Sequence, residues 1–371
     1  MSTSSLLTPV RLGALQLKNR VVMAPLTRLR AAQPGDVPKP MHAVYYGQRA
    51  NPGGLLITEA TDIAESARGY PGAPGMYSAP QVAAWKRVTE AVHAKGGLIV
   101  VQLWHTGRIS HSSMHAGGAL PVAPSAIAAR GQHMTAQGKP VSFEVPRALS
   151  LEEIPTIVAQ YTQAIKNARE AGFDGVELHA ANGYLINQFM EDGTNQRTDR
   201  YGGSIENRVR LLLEIIDSVA AAWSADRIGV RLSPGGSFND MKDSNHEALY
   251  DYVVTHLSTR GLAYLHVIEQ RESPDTPAGT ATSDVAAKIR AEFAGPVIAA
   301  GGFDQVSATA AIDAKHADAV AFGRAYIANP DLVERFRVGA ALNPYDRRTF
   351  YGGDERGYTD YPTLEASAST T

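Results

Sequence analysis

Eight short apolar runs recur along the 371 residues, each followed by a helical pattern. They are Val21–Met23, Leu55–Thr58, Leu98–Gln102, Gly175–His179, Ile228–Leu232, Ala263–Ile268, Pro296–Ala300 and Asp318–Phe322. The runs are near-continuously apolar rather than alternating, as strands covered on both faces should be. The intervening helices are periodic. Ile154, Ile157, Tyr161, Ile165, Ala168 and Ala171 form one core stripe, and Ile205, Val209, Leu212, Ile216 and Val219 form the next. Ser204 is placed to cap the second helix, with Glu206 favourable in its first turn. Repeated strand–helix units predict a closed (β/α)8 TIM barrel of the α/β class rather than an open sheet. A dinucleotide-binding open sheet would want Gly-x-Gly-x-x-Gly after an early strand; neither that nor a Walker-type loop occurs.

Two segments break the repeat. Residues 106–150 are rich in Gly, Ala, Ser and Pro and too long for a plain βα loop, so they read as a capping insertion after strand three. Val10 to Leu17, alternating around Gly13, reads as a hairpin closing the bottom of the barrel. The expected organisation is one domain over residues 1–365, with a small polar, disordered tail at 366–371. A net charge of −2 with interspersed signs gives no reason to expect nucleic acid or a membrane surface as partner. No apolar stretch approaches a membrane span, and the first residues do not form a signal peptide. Cysteine is absent, which excludes disulfides, thiolate metal sites and cysteine nucleophiles, and fits a reducing, cytoplasmic location.

In such a barrel the site lies at the C-terminal ends of the strands. Those ends offer Pro25, Leu26, Thr27 and Arg28, then Thr58, Glu59 and Ala60, then Gln102, Leu103, Trp104 and His105. Strand four ends in His179, followed by Asn182 and Tyr184; strand five offers Arg231. If the chain turns helically after strand four, His179 and Asn182 share a face and can donate to one oxygen, with a phenol nearby for protonation. The same segment also reads as a core histidine and a turn asparagine. Strands seven and eight end in Gly301-Gly302 and Gly323-Arg324, where such barrels often bind phosphate. The glycines would otherwise only make tight turns. Thr27, Gln102 and Arg231 suit a planar heterocycle, Arg231 otherwise needing a nearby carboxylate. At a strand end Trp104 reads as lining a pocket rather than as core. His111 and His115 have zinc-like spacing without a third ligand, so no metal is expected. The Gly69–Gly75 loop reads as a connection without function, and Glu59 and Glu177 read as structural.

Several of these residues sit in longer matching segments: 19–28, 102–108, 174–189, 195–210, 323–324 with 329–332, 349–353 and 357–362. On them the chain resembles the old yellow enzyme family of flavin-dependent ene-reductases, near its bacterial N-ethylmaleimide, pentaerythritol tetranitrate and morphinone reductase branch. The resemblance covers nearly the whole chain. It implies tightly bound FMN with NAD(P)H as hydride donor, and ping-pong reduction of the activated C=C bond of α,β-unsaturated carbonyl and nitro compounds. It implies that Pro25, Leu26, Thr27, Ala60 and Gln102 contact the isoalloxazine, and that Arg231 lies at its N1/O2 edge. Gly301, Gly302, Gly323 and Arg324 would hold the phosphate. His179 and Asn182 would bind the substrate oxygen, Tyr184 would donate the proton, and Trp104, Thr27 and Tyr351 would shape the pocket, Tyr351 near the dimethylbenzene edge. Family members carry His or Asn as the second donor, here Asn182, and Thr27 stands where another subfamily has cysteine. The implied partner is a small enone or nitro substrate on a monomer or weak homo-oligomer. Residues 266–280 look individual and are expected to flank the pocket or nicotinamide entry. A flavin-free phosphate-binding isomerase or aldolase, and a flavoprotein quinone reductase, are the alternatives.

Overall fold

The computed structural model describes residues 4–270, 278–279 and 283–365. The expected tail at 366–371 and part of the 266–280 stretch lie outside the described residues. Each of the eight apolar runs is a strand: β1 Val21–Met23, β2 Leu55–Ile57, β3 Leu98–Trp104, β4 Gly175–His179, β5 Ile228–Leu232, β6 Tyr264–Ile268, β7 Val297–Ala300 and β8 Ala319–Phe322. Neighbours pair in parallel in that order, and β8 pairs back onto β1, so the sheet closes. Strand β3 runs on to Trp104 because a short strand, Thr61–Asp62, pairs beside its end.

The α-helices among the described residues are α1 Pro40–Arg49, α2 Ala79–His93, α3 Ile154–Glu170, α4 Leu185–Met190, α5 Ile205–Ala222, α6 His246–Ser258, α7 Val285–Glu292, α8 Gln305–Asp313, α9 Arg324–Ala328 and α10 Leu332–Val338. The α3 stripe is buried as its period requires, and in α5 Ser204 caps by accepting from Asn207 N at 3.4 Å. These helix faces and the outer faces of the strands make the main apolar core.

A second core fills the barrel interior, where Val22, Leu55, Ile57, Val100 and Ile298 meet Leu12, Leu15 and Leu17 of the hairpin. Val10–Leu12 and Leu15–Leu17 pair antiparallel as expected. Gly13 turns between them at φ +57°, and a Cβ there would lie 2.2 Å from the Asp226 carbonyl oxygen and 2.7 Å from Ala263 Cα. Ala14 N donates to the same Asp226 carbonyl at 2.8 Å. Both contacts precede β5 and β6, so the hairpin plugs the N-terminal mouth. Only the C-terminal end is left to open into a site.

Residues 106–150 carry two small sheets, Val122–Ala123 with Arg147–Ala148 and Gln132–Met134 with Pro140–Ser142. His133 bonds the Gly69 carbonyl and ties this excursion to the 69–75 loop. Among the described residues no helix is long and apolar enough to cross a membrane.

Candidate active site

The chain after β4 does not turn helically, which corrects the expected route to a shared face. Asn182 (φ +58°) and Gly183 (φ +76°) are left-handed, and α4 begins only at Leu185. Asparagine tolerates this region better than most side chains. Here the turn is held from both sides: Asn182 N donates to Ser233 Oγ at 2.9 Å, and Asn239 Nδ2 donates to the Asn182 carbonyl at 2.8 Å. At Gly183 a Cβ would stand 2.7 Å from Asn239 Cβ, so only glycine fits.

This turn still brings His179, Asn182 and Tyr184 to one cavity of about 630 Å³ at the C-terminal end of the barrel. Pro25, Leu26 and Thr27 form one wall, Gln102 and Trp104 another, with Arg231 at the base and Tyr351 on the rim, 66% exposed. Beside it a cavity of about 420 Å³ is lined by Gly301, Gly302, Gly323 and Arg324. The two share Pro25, Leu26, Arg231 and Arg324. Gly301 (φ +114°) and Gly302 (φ +100°) adopt backbone that side-chain-bearing residues avoid. Ala60 sits behind these walls, in a small apolar cluster with Ala73, Trp104 and Tyr184.

The polar groups are set for hydrogen bonding. His179 stacks on Trp104 with ring centroids 6.2 Å apart and planes 9° apart, and its Nδ1 is buried without a partner. Burial, with Arg231 and His266 adding to it, pushes the imidazole well below its ordinary value, so the ring is neutral. Tyr184 stands edge-on to both rings, 5.0 Å from His179 and 4.6 Å from Trp104. Burial pushes its phenol well above the ordinary value, so it keeps its proton at neutral pH. The buried Arg231 Nε also lacks a partner. An unsatisfied buried guanidinium N–H is costly unless an acceptor meets it from the cavity.

Several wall residues escaped the sequence reading. Tyr70, in the loop set aside as a plain connection, stacks on Trp104 (5.6 Å, 15°), and its hydroxyl lies 3.4 Å from that of Tyr184. That loop is corrected to part of the site. Met134 of the insertion, Phe238 and Phe350 also line the cavity. An aromatic between glycines and prolines has no period, so only the fold reveals its direction. Glu59 proves structural as expected, accepting from Arg28 N at 3.0 Å and Leu29 N at 3.2 Å and so shaping the loop that carries Thr27. His115 bonds Ser110 Oγ at 2.9 Å and His111 faces Glu144 at 3.6 Å, so the two histidines serve the insertion.

Two joined cavities, one bounded by a glycine cradle with an arginine and the other by aromatics and unpartnered N–H groups, fit a planar heterocycle carrying a phosphate. The profile of the NADH:flavin oxidoreductase / NADH oxidase family matches residues 5–343. Among curated proteins the chain is 47% identical over 362 residues to 12-oxophytodienoate reductase 1 of Oryza sativa subsp. japonica, covering 97% of this chain and 93% of that protein. It is 46% identical over 365 residues to 12-oxophytodienoate reductase 2 of Arabidopsis thaliana, covering 98% and 96%. Among solved structures it superposes on morphinone reductase with a TM-score of 0.92 at 49% identity, covering 99% of this chain and 98% of that one. The chain therefore belongs to the NADH:flavin oxidoreductase / NADH oxidase family, the old yellow enzyme family of the sequence resemblance. It is an FMN-dependent ene-reductase with a nicotinamide hydride donor.

Proposed function

We propose that His179, Asn182 and Tyr184 form the reacting face of this enzyme, acting on enones and activated nitroalkenes. The observation that carries the reading is the convergence of a neutral imidazole, an amide and a protonated phenol on one cavity wall. His179 and Asn182 donate to the substrate's activating oxygen and draw charge from its double bond. A neutral donor suits this because it polarises the oxygen without surrendering its proton. Tyr184 then delivers its proton to the α-carbon. Arg231 stabilises negative charge at the base of the cavity, and the Gly301, Gly302, Gly323 and Arg324 cradle holds the FMN phosphate. Pro25, Leu26, Thr27 and Gln102 would hold the ring, with Ala60 packed behind them, and Tyr351 would close its outer edge. FMN held there would supply the two-electron chemistry that links NAD(P)H oxidation to reduction of the activated double bond, in the expected ping-pong cycle.

Residues 106–150 act as a cap within a single domain spanning 1–365: Met134 reaches the rim and Phe143 packs on the Trp104–Tyr184 cluster. The cysteine-free chain supports a cytoplasmic setting, with the enzyme acting as a monomer or weak homo-oligomer. A flavin-free isomerase or aldolase would need a lysine or paired carboxylates at the strand ends. The described walls of the two cavities carry neither.

Tyr184→Phe is the test. It should slow the enone half-reaction by about a hundredfold or more and leave the nicotinamide half-reaction within about twofold. Stopped-flow with cyclohexenone and with each nicotinamide reads both. Equal losses in the two half-reactions would refute the acid role. Purified protein that stays colourless with added FMN would refute the whole reading.

A further inference from the structure

Beneath the cavity floor lies a buried polar layer that the mechanism above does not use. Glu177 of β4 is register-paired with Gln102 of β3 on one side and Gly229 of β5 on the other. Gly229 leaves room there for the Tyr264 ring of β6, which a Cβ would approach to 2.3 Å. Glu177 Oε1 accepts from Gln102 Nε2 at 2.7 Å, and Oε2 meets His266 Nδ1 at 2.9 Å. The Glu177 and His266 side chains are fully buried.

An ionised carboxylate offers only acceptors. Burial alone would raise the Glu177 carboxyl, but His266, Arg231 and Gln102 outweigh it and hold it below the usual range. Both groups bonded to it must therefore donate. The His266 proton is committed to Nδ1, and the Gln102 NH2 group is committed to Glu177. Gln102 is itself a wall residue of the cavity.

We infer that Glu177 is a positioning residue that locks the Gln102 amide with its carbonyl oxygen turned to the cavity, selecting a ring N–H donor on the bound heterocycle. The inference rests on the flavin reading of the site and adds to it a residue that touches neither ring nor substrate. Without the carboxylate, Gln102 is free to flip and present donors where an acceptor is required.

Glu177→Gln removes the charge and keeps the shape, and its new amide can either donate or accept. FMN release from the diluted holoenzyme, followed by recovery of free-flavin fluorescence, should show retention weakened by about tenfold or more. The flavin midpoint potential, read by spectroelectrochemistry, should rise because a buried negative charge near Arg231 is gone. In a Gln102→Leu background Glu177→Gln should add less than about twofold to FMN release, since its route of action is already removed. Unchanged retention and potential in Glu177→Gln would overturn the inference, as would equal losses in both backgrounds. If Glu177→Gln fails to fold, Glu177→Asp keeps the charge but withdraws the acceptor; weakened retention supports the inference and parental retention overturns it. A parent protein holding no FMN would instead overturn the flavin reading itself.

Discussion

Gly301 is where backbone geometry and the proposed phosphate cradle meet most directly, and Gly301→Ala tests both. Its φ of +114° belongs to a region nearly closed to other residues, so alanine would cost about 1–3 kcal/mol in backbone strain. A Cβ would also lie 2.6 Å from the Glu269 carbonyl oxygen and 3.0 Å from Glu269 N. Neither can easily yield, because Glu269 N is bonded to the Ala300 carbonyl at 2.7 Å. The ends of β6 and β7 must part, for a total of about 3 kcal/mol. In a chain of this size that lowers Tm by roughly 4 °C. The displaced backbone lines the cradle, so FMN affinity should fall by at least about tenfold. Gly339→Ala is the control: its φ is +66°, nothing lies within 4 Å of a Cβ there, and it caps α10 away from the site. It should cost about 1 kcal/mol in strain and leave FMN affinity unchanged. Thermal melts with and without excess FMN, together with flavin fluorescence titration, measure both quantities. A Gly301→Ala protein that melts with the parent and binds FMN equally well would refute the reasoning.

Ser233→Ala removes the acceptor that holds Asn182 N in its left-handed turn, so KM for cyclohexenone should rise about five- to tenfold. The nicotinamide half-reaction should be untouched, and a parental KM would show that the turn holds itself. Glu191, buried against Asn187 and Tyr250, has its carboxyl pushed by burial from 4.5 up to about 7. The native state therefore favours the protonated form, and the stability this carboxyl contributes is intact below about pH 4.5 and lost as pH rises through about 7. Glu191→Gln stays neutral, so its stability relative to the parent should grow by about 3 kcal/mol across that window. Urea unfolding at several pH values reads the difference, and parallel pH profiles would refute it.

The barrel was legible because its signal is local. A strand buried on both faces must be apolar throughout, and a helix covering it must repeat near 3.6, so β1 to β8 and the α3 stripe could be located residue by residue. Closure then follows from the number of units, and closure directs attention to the strand ends, where Gln102, His179, Arg231 and the 301–302 and 323–324 pairs stand. That much the chain determines by itself, since each element carries its own pattern. The turn at Asn182 is different: a local pattern predicted a helical step, while Ser233 and Asn239, distant in sequence, impose a left-handed one. Tyr70 enters the site only because its loop is drawn over Trp104, and Glu177 gains a role only because the closed barrel brings Gln102 of β3 and His266 of β6 to its two carboxylate oxygens. Periodicity records what a segment buries, but which side chain meets which is set by contacts between segments far apart in sequence. Those contacts exist only after the barrel closes, and they decide the site's finer geometry.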